Sequence, residues 1–181
     1  MSRNNLPLYV MPLIILVAAL LQSTVTARMV IRGVKPDIVL LIIVLSTLIY
    51  GSKVSVLWAF LGGIGVDLFS GGPFGISSLG LMMATAVVGL GHRVLSRYHL
   101  LVPLGATAVG TLIYGFVYMG VLAVLHEAAQ TPLFQTIALP AYQLPFWATL
   151  QNVILPAAIY NTTIVLFVTP LLNRVPEVQE V

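Results

Sequence analysis

The sequence predicts an all-α, polytopic membrane protein with six transmembrane helices. Its composition indicates that lipid is the main solvent, because 59% of the 181 residues are hydrophobic and only 7% are charged. A soluble domain carries about a quarter charged residues, which these side chains cannot supply. The apolar runs give the helix count, since about 20 apolar residues span the hydrocarbon of a bilayer. A single domain covering residues 1–181 is expected.

Each predicted helix is an apolar run bounded by glycine, proline or polar residues. The six lie at about 7–26, 36–50, 54–69, 73–91, 100–125 and 148–172. Pro12 lies inside the first and is predicted to bend it. Pro36 begins the second, and the helix dipole favours the negative charge of Asp37 in its first turn. The second and third runs are short, so they need flanking residues or a locally thinner bilayer to span it.

Pro73 is predicted to begin the fourth helix, and the fifth is the longest run. The segment 126–147 is less apolar and interrupted by prolines. Its aromatic residues suit the headgroup region of a membrane: Phe134, Tyr142, Phe146 and Trp147. We therefore predict an external segment that lies along the membrane surface before the sixth helix.

The distribution of lysine and arginine predicts that both termini are cytoplasmic. With six spans, one side of the membrane carries more basic residues: Arg3, Lys53, Arg93, Arg97 and Arg174. The other side carries Arg28, Arg32 and Lys35. Because cytoplasmic loops hold the excess of basic residues, the turn after Ser70 and the segment 126–147 are expected outside. The net charge of +3 is spread over short loops, which argues against a nucleic-acid partner.

The stretch 62–75 joins the third and fourth helices and contains an acid within an apolar run. Asp67 lies about two residues from the predicted helix end, so we expect its carboxylate to bind backbone N–H groups of the following turn. Proton or ion handling is the alternative. Gly71 and Gly72 suit a tight turn. We assign structural support of this turn, and contact with a partner, to Asp67, Gly71, Gly72, Pro73 and Gly75.

Five further residues are predicted to pack the bundle: Gly63, Thr111, Gly115, Pro156 and Asn161. Small residues four apart let helices approach closely, either within this chain or against a helix of another protein. Proline at 156 removes an N–H donor and displaces a carbonyl of the preceding turn. The amide of Asn161 is expected near mid-bilayer, where it needs a partner on another helix; a small-molecule cavity is the alternative.

No complete catalytic or cofactor motif is present. His126-Glu127 lacks the second histidine of an H-E-x-x-H zinc site, and the Gly62–Gly65 cluster lacks the strand and the lysine of a phosphate-binding loop. Ser77 and Ser78 lack a catalytic partner, because His92 and His99 lie on the opposite side of the predicted membrane and His126 has no orienting partner. The chain has no cysteine, which excludes disulfides and thiolate ligands. We therefore predict neither enzyme activity nor a cofactor.

Three stretches resemble the family of rod shape-determining proteins MreD. The first is the K-P-D-aliphatic start of the second helix, Lys35 to Leu41. The second is the G-x-x-x-D…G-x-P-x-G pattern within 62–80. The third is the last helix, with Leu155-Pro156, an internal asparagine and the exit Pro170 to Arg174.

This resemblance implies a non-enzymatic scaffold of the bacterial cell-wall elongation (rod) complex in the plasma membrane. Its implied direct partner is the bitopic protein MreC. Through MreC it would be connected to the filament protein MreB, the glycosyltransferase RodA and a penicillin-binding transpeptidase. The implied fold is similar to that of the substrate-binding subunits of energy-coupling-factor transporters. A vitamin-binding subunit of such a transporter is therefore the alternative function.

Overall fold

The computed structural model describes residues 6–24, 34–92, 101–129 and 145–172, and the regular elements in these ranges are helices. The first five are α1 (Leu6–Thr24), α2 (Ile38–Tyr50), α3 (Ser52–Ser70), α4 (Ile76–His92) and α5 (Leu101–Ala129). Three stretches then follow without a break: α6 (Phe146–Thr149), a π-helical turn (Leu150–Ile154) and α7 (Leu155–Leu172). We call these three together the C-terminal helix. The all-α class is thus confirmed.

Most observed helix boundaries differ from the prediction by one or two residues. Helix α2 begins at Ile38 instead of Pro36, so Asp37 is its N-cap and does not lie in its first turn. Pro73 does not begin α4, which starts at Ile76, because Gly75 has a φ of +93°, outside the range of a right-handed helix. Helix α5 continues to Ala129, and the C-terminal helix already begins at Phe146. Both ends of the predicted interfacial segment 126–147 therefore belong to helices, and its residues 130–144 lie outside the described residues.

Within the described ranges, three helices are long and apolar enough to cross a membrane. They are Ser52–Ser70, Leu101–Ala129 and Phe146–Pro170. Three shorter helices are also apolar: Val10–Thr24, Ile38–Tyr50 and Ile76–Gly91. The structure is thus that of a helical membrane protein, and six spans stay a prediction.

Helix α2 lies at the centre of the bundle. Val39, Leu40, Ile43 and Val44 have at most 1% of their surface exposed, and α2 packs against α1, α3, α4 and α5. The outer helices form a series in which α1 packs on α3, α3 on α4, α4 on α5 and α5 on the C-terminal helix. The C-terminal helix is therefore held mainly by one neighbour, α5.

Helices α3 and α4 approach each other closely at two points. A Cβ atom on Gly63 of α3 would overlap the backbone of Ser78 of α4. A Cβ atom on Gly89 of α4 would overlap the side chain of Ser52 of α3. Each helix thus contributes a glycine that faces a serine of the other. Such small residues allow backbone contact where hydrophobic exclusion gives no driving force.

Candidate functional site

A buried carboxylate organises the connection between α3 and α4. Asp67 is 3% exposed, and its Oδ2 accepts the backbone N–H of Gly75 at 2.7 Å. The same oxygen accepts the N–H of Ser77 at 3.2 Å. These donors belong to the start of α4, where N–H groups have no partner within the helix and negative charge is favourable. Asp67 on α3 therefore caps α4.

The residues between these helices form a tight turn that packs on α5. Gly71 ends α3 with a φ of +69°, and Gly75 has a φ of +93°; this left-handed region favours glycine. Pro73 lies between them. A Cβ atom on Gly72 would lie 3.1 Å from the hydroxyl oxygen of Tyr118 on α5. We call the end of the bundle that holds residues 70–75 the turn end.

The amide of Asn161 joins three elements of the bundle. Asn161 is fully buried, and its Oδ1 accepts the backbone N–H of Asp37 at 3.0 Å. Its Nδ2 donates to Oγ1 of Thr111 on α5 at 3.2 Å. The Thr111 hydroxyl in turn donates to the carbonyl oxygen of Thr107 at 2.8 Å. One side chain of α7 therefore fixes both α5 and the start of α2.

The N-terminus of α2 receives two further side-chain acceptors. Asp37 is its N-cap and accepts the N–H of Leu40 at 3.0 Å. Gln22 of α1 accepts the N–H of Val39 at 2.9 Å, and its side chain also hydrogen-bonds Asp37. Because the first N–H groups of a helix have no partner within it, these bonds attach α1 and α7 to the central helix.

A second chain of hydrogen bonds reaches α5 from Asp67. The hydroxyl group of Tyr114 on α5 donates to Oγ of Ser77 at 3.1 Å, and Ser77 is the residue whose N–H binds Asp67. Gly115 follows Tyr114, and a Cβ atom there would lie 3.0 Å from the side chain of Ile154. This part of α5 is thus in contact with α4 on one side and the C-terminal helix on the other.

Pro156 gives a physical reason for the π-helical turn at Leu150–Ile154. Proline has no N–H to donate, and its ring collides with the carbonyl four residues earlier, here that of Asn152. Widening the helix by one residue at that place relieves the collision. The irregularity therefore follows from a single residue of the sequence.

A cavity of about 540 Å³ lies at the turn end, with walls from α1, the start of α2, α3, α4, α5 and the C-terminal helix. Its exposed lining residues are Lys35, Ser70 and Val153, whereas Thr111 and Asn161 are buried. It therefore opens toward the turn end. The structure brings Thr111, Gly115 and Asn161 together around this cavity and places Gly63 at the contact of α3 with α4.

Sequence reasoning missed three residues of these networks: Gln22, Ser77 as an acceptor, and Tyr114. A lone glutamine near the end of an apolar helix was an available signal, because polar groups in such helices seek partners. The sequence indicates Ser77 only as a candidate nucleophile, not as a hydrogen-bond acceptor. Among the described residues, no group of three metal-ligating side chains is placed to hold an ion.

Comparison with known proteins places this arrangement in a family. The family model described as rod shape-determining protein MreD matches residues 2–174. Comparisons with curated proteins and with solved structures found no match. The matched region includes the turn around Asp67 and the helix that carries Asn161, so it spans both hydrogen-bond networks. The chain therefore belongs to the MreD family of rod shape-determining membrane proteins.

Proposed function

We propose that this protein is a non-enzymatic scaffold of the rod complex and that it binds MreC. Membership of a family of shape-determining proteins carries this proposal. The hydrogen bonding supports it, because the buried polar groups of Asp67, Ser77 and Asn161 bind groups on neighbouring helices. Polar contacts of this kind fix helix positions in a membrane. A scaffold needs such fixed positions, whereas turnover needs reactive groups aimed at a substrate.

In the proposed arrangement, the protein is a multi-pass component of the bacterial plasma membrane. All six helices cross the bilayer, and both termini are cytoplasmic. The turn end then lies on the outer side, next to the periplasmic part of MreC. Through MreC the scaffold is connected to MreB inside the cell and to RodA and a penicillin-binding transpeptidase outside.

The proposed mechanism is positional: the helices hold the transmembrane helix of MreC and thereby orient the periplasmic assembly. The turn residues Gly71, Gly72 and Gly75 shape the outer rim where MreC docks, and Asp67 holds that rim in place through its bonds to α4. The contact of Gly72 with Tyr118 makes the rim continuous with α5.

Copurification with MreC in a mild detergent tests this proposal. Gly72→Leu places a bulky side chain at the rim against Tyr118, and recovery of MreC should fall several-fold. Gly105→Leu is the matched control, because a Cβ atom there meets no other atom within 4 Å; its recovery should equal that of the wild type. Unchanged recovery with Gly72→Leu would count against the rim, and no recovery of MreC with the wild type would refute the scaffold.

The alternative of a vitamin-transporter subunit has no support from the comparisons. The matching family is that of MreD. No solved structure matches the chain, so the expected likeness to energy-coupling-factor subunits has no support. We therefore do not propose transport.

A further inference from the structure

The cavity at the turn end has no part in the proposed scaffold function, and its lining suits a small molecule. Its volume of about 540 Å³ is within the range of small-molecule sites, roughly 300–1,000 Å³. One part of its wall is polar and includes Gln22, Asp37 and Ser77; another is apolar and includes Phe69, Met119 and Ile154. A cavity with two such walls fits an amphiphile with a small polar head.

The polar wall offers several acceptor oxygens. A carboxylate accepts at about four positions, and Asp37 receives the Leu40 N–H and the Gln22 side chain. Ser77 receives the Tyr114 hydroxyl, and Thr111 receives the Asn161 amide. These oxygens can therefore accept further hydrogen bonds from a ligand that donates them.

Charge makes this requirement more specific. Burial disfavours the charge of Asp37, whereas the hydrogen bonds it receives and the nearby Lys35 favour it, so a cation bound in the cavity would stabilise the ionised carboxylate. Among the described residues lining the cavity, the one lysine or arginine is Lys35, which is exposed at the mouth. A carboxylate in a membrane protein is expected to be paired with a cation. Tyr114 and Tyr118 also line the cavity, and tyrosine rings attract ammonium groups.

We propose that this cavity binds an amphiphile with a primary ammonium group. The ammonium donates to Asp37 and to the hydroxyl oxygens of the polar wall. Its apolar part lies along Phe69, Met119 and Ile154. An anionic group next to the ammonium, such as a phosphate, faces Lys35 at the mouth. An aminophospholipid of the surrounding membrane has this chemistry, and so does a free amine of similar shape. This inference does not depend on binding of MreC.

The test compares three probes on the purified full-length protein in a non-ionic detergent. Lysophosphatidylethanolamine carries the ammonium, lysophosphatidylglycerol carries a polyol head on the same acyl chain, and ethanolamine is the amine without a chain. Thermal unfolding is followed as each probe is added, because a ligand that binds the folded state raises Tm with concentration. We expect a saturable rise with lysophosphatidylethanolamine. An equal or larger rise with lysophosphatidylglycerol would overturn the proposal, and so would no rise with any probe.

Ethanolamine, the probe without an acyl chain, shows whether the ligand is a membrane lipid or a soluble amine. A rise with the lipid but not with ethanolamine identifies a membrane lipid as the ligand. An equal rise with both identifies a soluble amine. Either result supports the ammonium site.

A matched pair of variants locates the site. Asp37→Asn removes the charge but keeps the α2 cap, because asparagine is an equally good N-cap residue. Affinity for lysophosphatidylethanolamine should fall about tenfold or more, the effect of losing a charge-assisted hydrogen bond. Glu127→Gln removes one carboxylate from an exposed position of α5 outside the cavity, and affinity should stay within about twofold. Equal affinities of Asp37→Asn and the wild type would contradict the site.

Discussion

The side chain of Asn161 accepts the backbone N–H of Asp37 at 3.0 Å, although 124 residues separate them in the sequence. This bond connects the C-terminal helix to the central helix α2, while the main packing of the C-terminal helix is against α5. The position of the C-terminal helix therefore depends on one amide as well as on apolar contacts. Loss of that amide should weaken the attachment of the C-terminal helix to both α2 and α5.

Replacing Asn161 with leucine should destabilise the protein. The substitution leaves the Asp37 N–H without its acceptor and Thr111 without its donor, a loss of roughly 1–3 kcal/mol. Thermal unfolding of the purified variant measures the effect. Thr163→Val is the control on the same helix, because Thr163 is exposed and its hydroxyl donates to the carbonyl oxygen of Ile159 in its own helix. A variant as stable as the wild type would show that apolar packing alone holds this helix.

Two buried threonines should respond in opposite directions to the same substitution. Thr111 accepts the Asn161 amide, so Thr111→Val should cost about 1–2 kcal/mol. Thr85 is fully buried, and its Oγ1 has no hydrogen-bond partner among the described residues. Thr85→Val should therefore be neutral or stabilising by up to about 1 kcal/mol. Unfolding curves recorded side by side give the sign, and a large loss for Thr85→Val would reveal a partner of its hydroxyl.

The acceptor oxygens of Asp67 should matter more for stability than its negative charge. Asp67→Asn keeps one acceptor oxygen but loses the charge at the start of α4, and we expect a loss of about 1 kcal/mol. Asp67→Ala leaves the N–H groups of Gly75 and Ser77 without an acceptor and should cost about 2–3 kcal/mol. Amide hydrogen exchange at Ser77 should accelerate in the same order. Equal exchange in both variants and the wild type would exclude the cap.

Replacement by alanine should have opposite effects on stability at Gly63, where α3 and α4 are in close contact, and at Gly105, which faces open space. Gly63→Ala places a methyl group on the Ser78 backbone, so α3 and α4 must separate, at about 1–3 kcal/mol. Gly105→Ala meets open space and should stabilise α5 by about 0.5–1 kcal/mol, since alanine favours helix. Thermal unfolding measures both. Tolerance of Gly63→Ala would mean that the two backbones are not held together at this point.

Local sequence patterns correctly predicted where the chain forms helices. The apolar runs predicted the helices, because their length and bounding prolines and glycines depend only on neighbouring residues. The conformation of Gly75 was not foreseen, and so the start of α4 was predicted at Pro73 instead of Ile76. The contacts of Gln22 with α2 and of Tyr114 with Ser77 were not predicted. Helical periodicity indicates which face of a helix is buried, but not which distant residue it meets.

The paired contacts of Gly63 with Ser78 and of Gly89 with Ser52 bear on how the chain is made. Helices α3 and α4 leave the ribosome one after the other, so this hairpin can close while later segments are still being synthesised. The bond from Asn161 to Asp37 has to wait for the final helix. A product released too early therefore carries a finished hairpin, while the N–H of Asp37 lacks its acceptor on the final helix.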